Sequence, residues 1–344
     1  MKPSEQNTCE NKINWSELWD IVQRHNTFIL TSHRRPDGDS LGSQLAMAEI
    51  LERMGKKTLL VNSDPVSDSL AFLDPDKKIH ALESLTDEEV RFMEHADCHI
   101  LVDLSSWFQL NKMEEAYRSL KNEKVIIDHH NANRDVPGTY FLDPNAEATG
   151  ILVYEAIRAL GKPLTERMAF ELFVAIATDT GWFRFATVKP RTFEIAADLV
   201  RAGVSQEKVY KYIYEQESLG RMLLKARAYQ NVERYMDGKL MFTTLMLSDF
   251  QVAGADKSES EDIINDTLKI KGAEMAIIMV EQETGGFKIS FRSRCNVNCV
   301  TLASQFGGGG HPQAAGAFTP EPYEFAKERL LAAVKTEYEN ACKG

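Results

Sequence analysis

Short apolar runs alternate with helical patterns in the first half of the chain. Four of these runs predict buried strands, at residues 27–32, 57–62, 99–104 and 124–128. A helical pattern follows the first run, beginning at about Ser40 and ending at Gly55. Strands that alternate with helices form parallel sheets that are covered on both faces. We therefore expect an α/β fold with an N-terminal doubly wound parallel sheet, whose ligands bind at the carboxyl ends of the strands.

The second half of the chain has a different pattern. Its helical patterns and apolar runs predict a mostly helical stretch at 149–235, strands at 240–247, 274–280 and 287–292, and a final helix at 321–335. The last two strands flank the residues ETGG, which favour a hairpin turn. The predicted organisation is an N-terminal domain at 1–215, a helical linker at 216–236 and a smaller C-terminal α+β domain at 237–344.

Composition narrows the cellular setting. The N-terminus is polar and lacks the apolar core of a signal peptide, and no run of 18 apolar residues occurs, so we expect a soluble cytoplasmic protein. The five cysteines are Cys9, Cys98, Cys295, Cys299 and Cys342. An odd number without a signal peptide favours reduced thiols. Because Cys295 and Cys299 have no second Cys or His pair at zinc-site spacing, we expect no zinc site there.

The formal net charge of −11 limits the partners. A protein that grips long nucleic acid usually presents a broad basic surface, because neutralised phosphates supply most of the non-specific affinity. This chain has no such excess of basic residues. If its substrate is a nucleotide, that substrate should be small and bound in a local pocket.

Side chains suited to metal binding follow three of the predicted strands and one apolar helix. They are His33, Asp37, Asp39, Asp103, Asp128, His129, His130 and Asp179. Because strand ends of a parallel sheet meet at one edge, these groups should converge, and so many acids would repel each other without a cation. Carboxylates with imidazoles suit Mn²⁺ or Mg²⁺. Two ions sharing a carboxylate would activate a hydroxide and stabilise the attacking and leaving oxygens at phosphorus.

The order and spacing of these residues resemble the DHH superfamily of phosphoesterases. The matching motifs are His33-x-x-x-Asp37-x-Asp39, Asp103, Asp128-His129-His130 and Asp179. The ligand sets implied by the resemblance are His33 and Asp37 for one ion, Asp39, His129 and Asp179 for the other, and Asp103 as the bridge. It further implies that His130 faces the substrate phosphate and that Asp128 supports the histidines. Gly38 is expected to let the loop turn between two ligands.

A glycine-rich segment, FGGGGHPQAAG at residues 306–316, lies between an apolar helical pattern and an apolar strand pattern. A flexible linker is the alternative, but glycine-rich loops also let backbone N–H groups approach phosphates. The segment resembles the DHHA1 domain, whose role in the family is substrate binding. The resemblance implies substrate-binding roles for Arg292, Gly308, Gly309, Gly310 and His311. The sequence leaves open whether Arg34 and Arg35 are ordinary surface charges.

Among DHH/DHHA1 phosphoesterases, the chain resembles the bacterial nanoRNase/pAp phosphatase (NrnA-type) proteins. The resemblance implies hydrolysis of very short oligoribonucleotides, of 3′-phosphoadenosine 5′-phosphate (pAp), or of both, with two divalent cations, Mn²⁺ as the first choice and Mg²⁺ as the alternative. The alternative enzyme is a phosphodiesterase for cyclic or linear dinucleotides, such as c-di-AMP or pApA. A nucleotide-binding regulator is the non-enzyme alternative, but none of the motif residues is missing. Association with a membrane or with long nucleic acid is not expected, and a homodimer is left open.

Overall fold

The structure is a computed structural model that describes residues 13–131 and 134–341. It divides into two compact units, Met1–Gln216 and Glu217–Gly344. In the described part of the chain, no helix is both long and apolar enough to cross a membrane. Cys98, Cys295 and Cys299 are free thiols, whereas Cys9 and Cys342 lie outside the described residues.

The first unit is built on a six-stranded parallel sheet. Its strands are β1 (Thr27–Thr31), β2 (Lys57–Asn62), β3 (Ile79–Ala81), β4 (Cys98–Val102), β5 (Glu123–Asp128) and β6 (Thr139–Leu142). Their spatial order is β3-β2-β1-β4-β5-β6, so the chain reverses direction across the sheet between β1 and β4. Crevices at the carboxyl ends of strands beside such a reversal are the usual ligand sites of doubly wound folds.

Helices cover both faces of this sheet. They are α1 (Trp15–Arg24), α2 (Gly38–Arg53), α3 (Asp87–His95), α4 (Trp107–Leu110), α5 (Met113–Ser119), α6 (Thr149–Ala159), α7 (Glu166–Asp179), α8 (Pro190–Arg201) and α9 (Gln206–Tyr214). One apolar core joins the sheet to α1, α2, α6 and α7, and a second core joins the opposite face to α3 and α5. The predicted doubly wound fold and its four central strands are confirmed. The short strands β3 and β6 at the two edges were not predicted.

The second unit has a mixed sheet. Its elements are α10 (Leu219–Gln230), β7 (Glu233–Tyr235), β8 (Leu240–Leu245), α11 (Leu247–Ala253), α12 (Ile263–Thr267), β9 (Met275–Glu281), β10 (Phe287–Ser293), α13 (Cys299–Ser304), β11 (Gly309–His311), β12 (Ala314–Thr319) and α14 (Tyr323–Ala341). The strand order is β11-β12-β10-β9-β8-β7, with β8 and β9 parallel and the other neighbours antiparallel. This mixed sheet with helices confirms the predicted α+β class.

The sequence signals of the second unit correspond to specific contacts. Strands β9 and β10 form the predicted hairpin, in which the Gln282 N–H donates to the Gly286 carbonyl at 3.0 Å. Gly285 and Gly286 have φ of +87° and +76°, which a residue with a side chain would adopt only with strain. Helix α10 occupies most of the segment assigned to a linker, and its Leu224 and Ala228 are buried against the sheet. The domain bounds 1–215 and 237–344 stay predictions.

Candidate metal centre and substrate-binding edge

Adjacent strands bring the predicted metal ligands of the first unit together. In the sheet, β1, β4 and β5 are neighbours. His33 follows β1, Asp103 follows β4, and Asp128 ends β5 directly before His129. Asp103 has φ of +63°, a conformation that is strained for an aspartate and is most often retained at functional sites. The predicted convergence at the carboxyl edge is therefore present.

One cluster consists of His33, Asp37 and Asp103. The His33 Nε2 lies 3.2 Å from Asp103 Oδ2 and 3.7 Å from Asp37 Oδ1. Asp37 also begins helix α2, because its Oδ1 accepts a hydrogen bond from the Ser40 N–H at 3.0 Å. The helix start thus fixes the carboxylate that faces His33.

A second cluster consists of Asp39, His129 and Asp179, again with Asp103 beside it. His129 Nε2 lies 3.8 Å from Asp39 Oδ2, 3.4 Å from Asp179 Oδ2 and 3.6 Å from Asp103 Oδ1. The two oxygens of Asp103 therefore face different histidines, Oδ2 towards His33 and Oδ1 towards His129. A carboxylate placed in this way is suited to bridging two ions.

Backbone carbonyls orient both histidines. His33 Nδ1 is 2.8 Å from the Arg34 carbonyl oxygen, and His129 Nδ1 is 3.0 Å from the Ala146 carbonyl oxygen. Because a carbonyl only accepts, each Nδ1 carries a proton and each Nε2 faces the acidic cluster, where it can donate to a carboxylate when protonated or bind a cation when neutral. This is the arrangement that metal-binding histidines commonly have.

His130 is held differently from His129. Its Nδ1 lies 2.8 Å from Asp128 Oδ1, and its backbone N–H donates to the same oxygen at 3.1 Å. The buried Asp128 thus fixes the ring, while the side chain of His130 is 40% exposed. His130 Nε2 is left as the polar atom that can reach a substrate.

In the second unit, the glycine-rich segment is partly an edge strand. Gly309, Gly310 and His311 form β11, which pairs with β12 on one side and lies at the edge of the sheet. All three residues are exposed. A Cβ on Gly308 would lie 2.1 Å from the Gly316 carbonyl oxygen, so close strand approach excludes a side chain there. The predicted loop is therefore an ordered edge of the sheet.

The register of the sheet places Arg292 and His311 in one row. Arg292 on β10 and His311 on β11 both pair with Ala314 of the intervening strand, and paired residues point to the same face. The neighbouring row on this face contains Gly316 and Gly309. That row also contains Ser290 of β10, so Arg292 and His311 stand beside a row with two glycines and one small hydroxyl side chain. Arg292 Nε also donates to Asn265 Oδ1 at 3.1 Å, which orients the guanidinium.

Comparison with known proteins identifies both units. Residues 27–178 match the model of the DHH family N-terminal domain, and residues 239–340 match the DHHA1 domain. The chain belongs to the DHH/DHHA1 family. The predicted family and the order of its two domains are confirmed.

Relatives share most of the chain. The bifunctional oligoribonuclease and PAP phosphatase NrnA of Thermus thermophilus is 29% identical over 91% of this chain and 90% of its own length. The protein of the same name from Bacillus subtilis is 26% identical over 93% and 97%. An exopolyphosphatase-related protein from Bacteroides fragilis, 23% identical, has the same fold, with a TM-score of 0.83 over 95% of each chain.

The buried acids of the DHH domain change one another's pKa values. Burial raises the pKa of Asp39 well above its ordinary value, and the carboxylates of Asp103 and Asp179 raise it further. Burial also raises the pKa of Asp179 to about 6, against the effect of His129. Burial opposes protonation of His33, but its hydrogen bonds to Asp103 and Asp37 raise its pKa to about 11. Without metal, the raised pKa values therefore favour protons on these neighbouring acids and on His33. Bound cations could replace those protons.

The donor set fits divalent cations. DHH phosphoesterases are metal-dependent, and three groups in the DHH domain have ligand atoms within 4.8 Å of one another. Oxygen and nitrogen ligands lie about 2.0–2.2 Å from such ions, so two ligands of one ion are about 3–4.5 Å apart. The separations of 3.2–3.8 Å between each histidine nitrogen and the carboxylates meet this requirement.

Two residues of the site were missed by the sequence analysis. The N–H groups of Thr149 and Gly150, at the start of α6, donate to the two oxygens of Asp39 at 2.7 and 2.8 Å. The Thr149 hydroxyl donates to Asp103 Oδ1 at 2.8 Å. A Cβ on Gly150 would lie 2.6 Å from the Cβ of Ala175. The sequence signal that could have identified both residues is a threonine–glycine pair at the start of an apolar helix.

Gly38 was expected to let the loop turn between two ligands, and this reason for a glycine is wrong. Gly38 is the first residue of α2 and is not among the glycines with positive φ. A Cβ at this position would lie 2.6 Å from the side chain of Thr178. Glycine is required because α2 approaches the end of α7 closely, which places Asp39 near Asp179.

Proposed function

We propose that this chain is a metal-dependent phosphoric ester hydrolase that degrades very short oligoribonucleotides, dephosphorylates pAp, or does both. The observation that carries the proposal is the pair of ligand clusters that share Asp103. Both functions are in the names of the NrnA relatives, which cover nearly all of this chain. One centre that hydrolyses phosphate esters would serve both substrates.

His33, Asp37 and Asp103 are the proposed ligands of one ion. Asp39, His129 and Asp179, with Asp103 as the bridge, are those of the second. The bound ions would supply Lewis-acid chemistry, lowering the pKa of water and stabilising charge on the phosphoryl oxygens. Mn²⁺ is the proposed ion and Mg²⁺ the alternative, because oxygen-rich sites with imidazoles suit Mn²⁺.

His130 is the proposed contact to the reacting phosphate. Its hydrogen bond to Asp128 raises its pKa to about 9, so the ring is protonated at neutral pH and Nε2–H can donate to a phosphate oxygen. Asp128, buried and with its own pKa lowered against the effect of burial, keeps the ring in place. Together they would orient the phosphate without binding metal.

The DHHA1 domain is proposed to bind substrate phosphate. Arg292 would bind phosphate through its guanidinium, His311 through its ring, and Gly308, Gly309 and Gly310 through the exposed backbone of β11 and the residue before it. Their common row, and the two glycines of β11 and β12 in the next row, support this assignment. The net charge of −11 further favours a short substrate over long RNA.

Hydrolysis of cyclic or linear dinucleotides is the second candidate. It is supported by the cyclic-di-AMP phosphodiesterase GdpP of Bacillus subtilis, which is 26% identical over 94% of this chain but 49% of its own length. The predicted cytoplasmic location and a homodimer stay predictions.

A substrate panel tests the proposal. Purified protein with Mn²⁺, with Mg²⁺ or with chelator would be assayed on pAp, a diribonucleotide, a twenty-residue RNA and cyclic di-AMP. We expect metal-dependent hydrolysis, with the highest kcat/KM for pAp or the diribonucleotide. A preference for cyclic di-AMP would favour the second candidate. If the chelator has no effect on hydrolysis, the metal-dependent mechanism is wrong.

A further inference from the structure

An arginine and an exposed aromatic ring form a pair beside the metal centre. The guanidinium carbon of Arg34 lies 4.3 Å from the ring centroid of Phe108. Phe108 is 72% exposed, although phenylalanine is normally buried. Neither side chain contributes to the ligand clusters described above.

The pair belongs to the two segments that follow β1 and β4 and that carry His33 and Asp103. Arg34 directly follows His33, and its carbonyl oxygen orients the His33 ring at 2.8 Å. Its N–H donates to the Gln109 carbonyl at 2.8 Å, which ties the loop after β1 to the loop after β4. The pair therefore lies on the side of the cluster formed by His33, Asp37 and Asp103.

The position of Phe108 is fixed by its neighbours on α4. The ring of Trp107 lies under the Arg118 guanidinium at 3.5 Å and packs edge-on against Tyr117, with centroids 5.9 Å apart. Leu110 is fully buried. Because Trp107 and Leu110 are anchored in this way, α4 directs the side chain of Phe108 towards solvent.

Arg34 is not held by an acid. No ion pair or side-chain hydrogen bond of Arg34 occurs among residues 13–131 and 134–341. Its charge is thus available to an anionic ligand, even though the protein is acidic as a whole. An exposed ring beside a free guanidinium is the combination with which proteins bind unpaired bases, through stacking and cation–π contacts.

We propose that Phe108 and Arg34 form a stacking subsite for the nucleobase next to the reacting phosphate. The inference rests on the proposed function, because it assumes a nucleotide substrate. Stacking accepts every base, so the subsite selects nucleotides over other phosphate esters with little preference among sequences. It also places that base on the His33 side of the centre.

The test compares ApA with ApA analogues that lack one base or the other. Phe108→Ala should raise KM for ApA about 5- to 150-fold, the range expected for loss of one stacked base. Phe108→Trp should retain the low KM, and Arg34→Ala should raise it. For one of the two abasic analogues, wild type and Phe108→Ala should have the same KM. Phe325→Ala is the matched control, because Phe325 is 70% exposed on α14 of the other unit.

Two further measurements separate the possible failures. Elemental analysis should find the same metal content in Phe108→Ala and wild type. Calorimetry with a slowly hydrolysed phosphorothioate analogue of ApA should show the same loss of affinity. Equal affinity of wild type and Phe108→Ala would overturn the subsite, and so would equal losses on ApA and both abasic analogues. If wild type binds the analogue through Phe108 but hydrolyses none of the substrates, the proposed function fails and the subsite stands.

Discussion

The DHH and DHHA1 domains hold their candidate residues in opposite ways. In the DHH domain, Asp39 and Asp103 are 1% and 2% exposed, and several hydrogen bonds fix their oxygens. In the DHHA1 domain, Gly309, Gly310 and His311 form an exposed edge strand. Buried acids preorganise charge for cations, whereas an open edge leaves backbone groups accessible. Mutations in the two domains should therefore reduce activity in different ways. Those in the DHH domain should cause loss of metal, and those in the DHHA1 domain should cause loss of substrate affinity.

The largest effect is expected at the bridging carboxylate. Asp103→Ala removes the one group that faces both clusters, so metal content and activity should fall together. We expect kcat to drop by at least about a thousandfold. Elemental analysis and a pAp assay measure both quantities. Asp39→Ala should mainly empty one site, and Asp76→Ala, at an exposed position, should change neither. A fully active Asp103→Ala protein would contradict the two-metal centre.

Substitutions in the DHHA1 domain should have the complementary outcome. Arg292→Ala and His311→Ala should lower kcat/KM about 10- to 100-fold, since each removes a charge-assisted contact to phosphate. Folding and metal content should be unchanged, because neither residue belongs to the acidic clusters. His95→Ala, at an exposed histidine of α3, is the control. Metal loss in either variant would mean that the edge strand had been misassigned.

Substrate length gives a smaller effect. We expect kcat/KM to be highest for about two to five nucleotides and to fall roughly tenfold for a twenty-residue RNA, because the acidic surface repels further phosphates. Added salt should have only a modest effect on the short substrates. Measuring kcat/KM across a length series at two salt concentrations tests both points. A rate that stays flat or rises with length would favour a processive exonuclease.

The residues of the site that could be predicted from the sequence are those recognised by their side-chain chemistry. Asp103, His129 and the other acidic or imidazole groups stand at strand ends, and strand ends of a parallel sheet must meet. Backbone contributions were harder to foresee. The N–H groups of Thr149 and Gly150 reach Asp39 only through tertiary packing.

The short edge strands were missed for a related reason. β3 has three residues, and glycine, which supplies two of the three residues of β11, weakens strands on its own. Pairing with β12 makes β11 a strand. The chemical groups could therefore be predicted more completely than the backbone that holds them.

The folding stability of the DHH domain should also depend on a buried acid next to the metal centre. Glu171 lies on α7, the helix that ends at Asp179, and is 2% exposed. Burial raises its pKa from an ordinary 4.5 to about 8, although Arg167, with Nε 2.5 Å from Glu171 Oε1, opposes the rise. Between these two pKa values the folded protein holds a proton that the unfolded chain has released.

Stability from Glu171 should consequently be full below pH 4.5, fall as the pH rises from 4.5 to 8, and stay level above 8. The expected fall is at most a few kcal/mol. Urea unfolding followed by tryptophan fluorescence, from pH 5 to 9, would compare wild type with Glu171→Gln. Because other groups titrate in both proteins, their contributions cancel in the difference. Glu171→Gln should lose part of the pH dependence, whereas Glu166→Gln, exposed at the start of the same helix, should keep it. Identical pH profiles for wild type and Glu171→Gln would show that burial on α7 does not raise the pKa of Glu171. That result would weaken the contrast between a DHH domain with buried acids and a DHHA1 domain with an exposed edge strand.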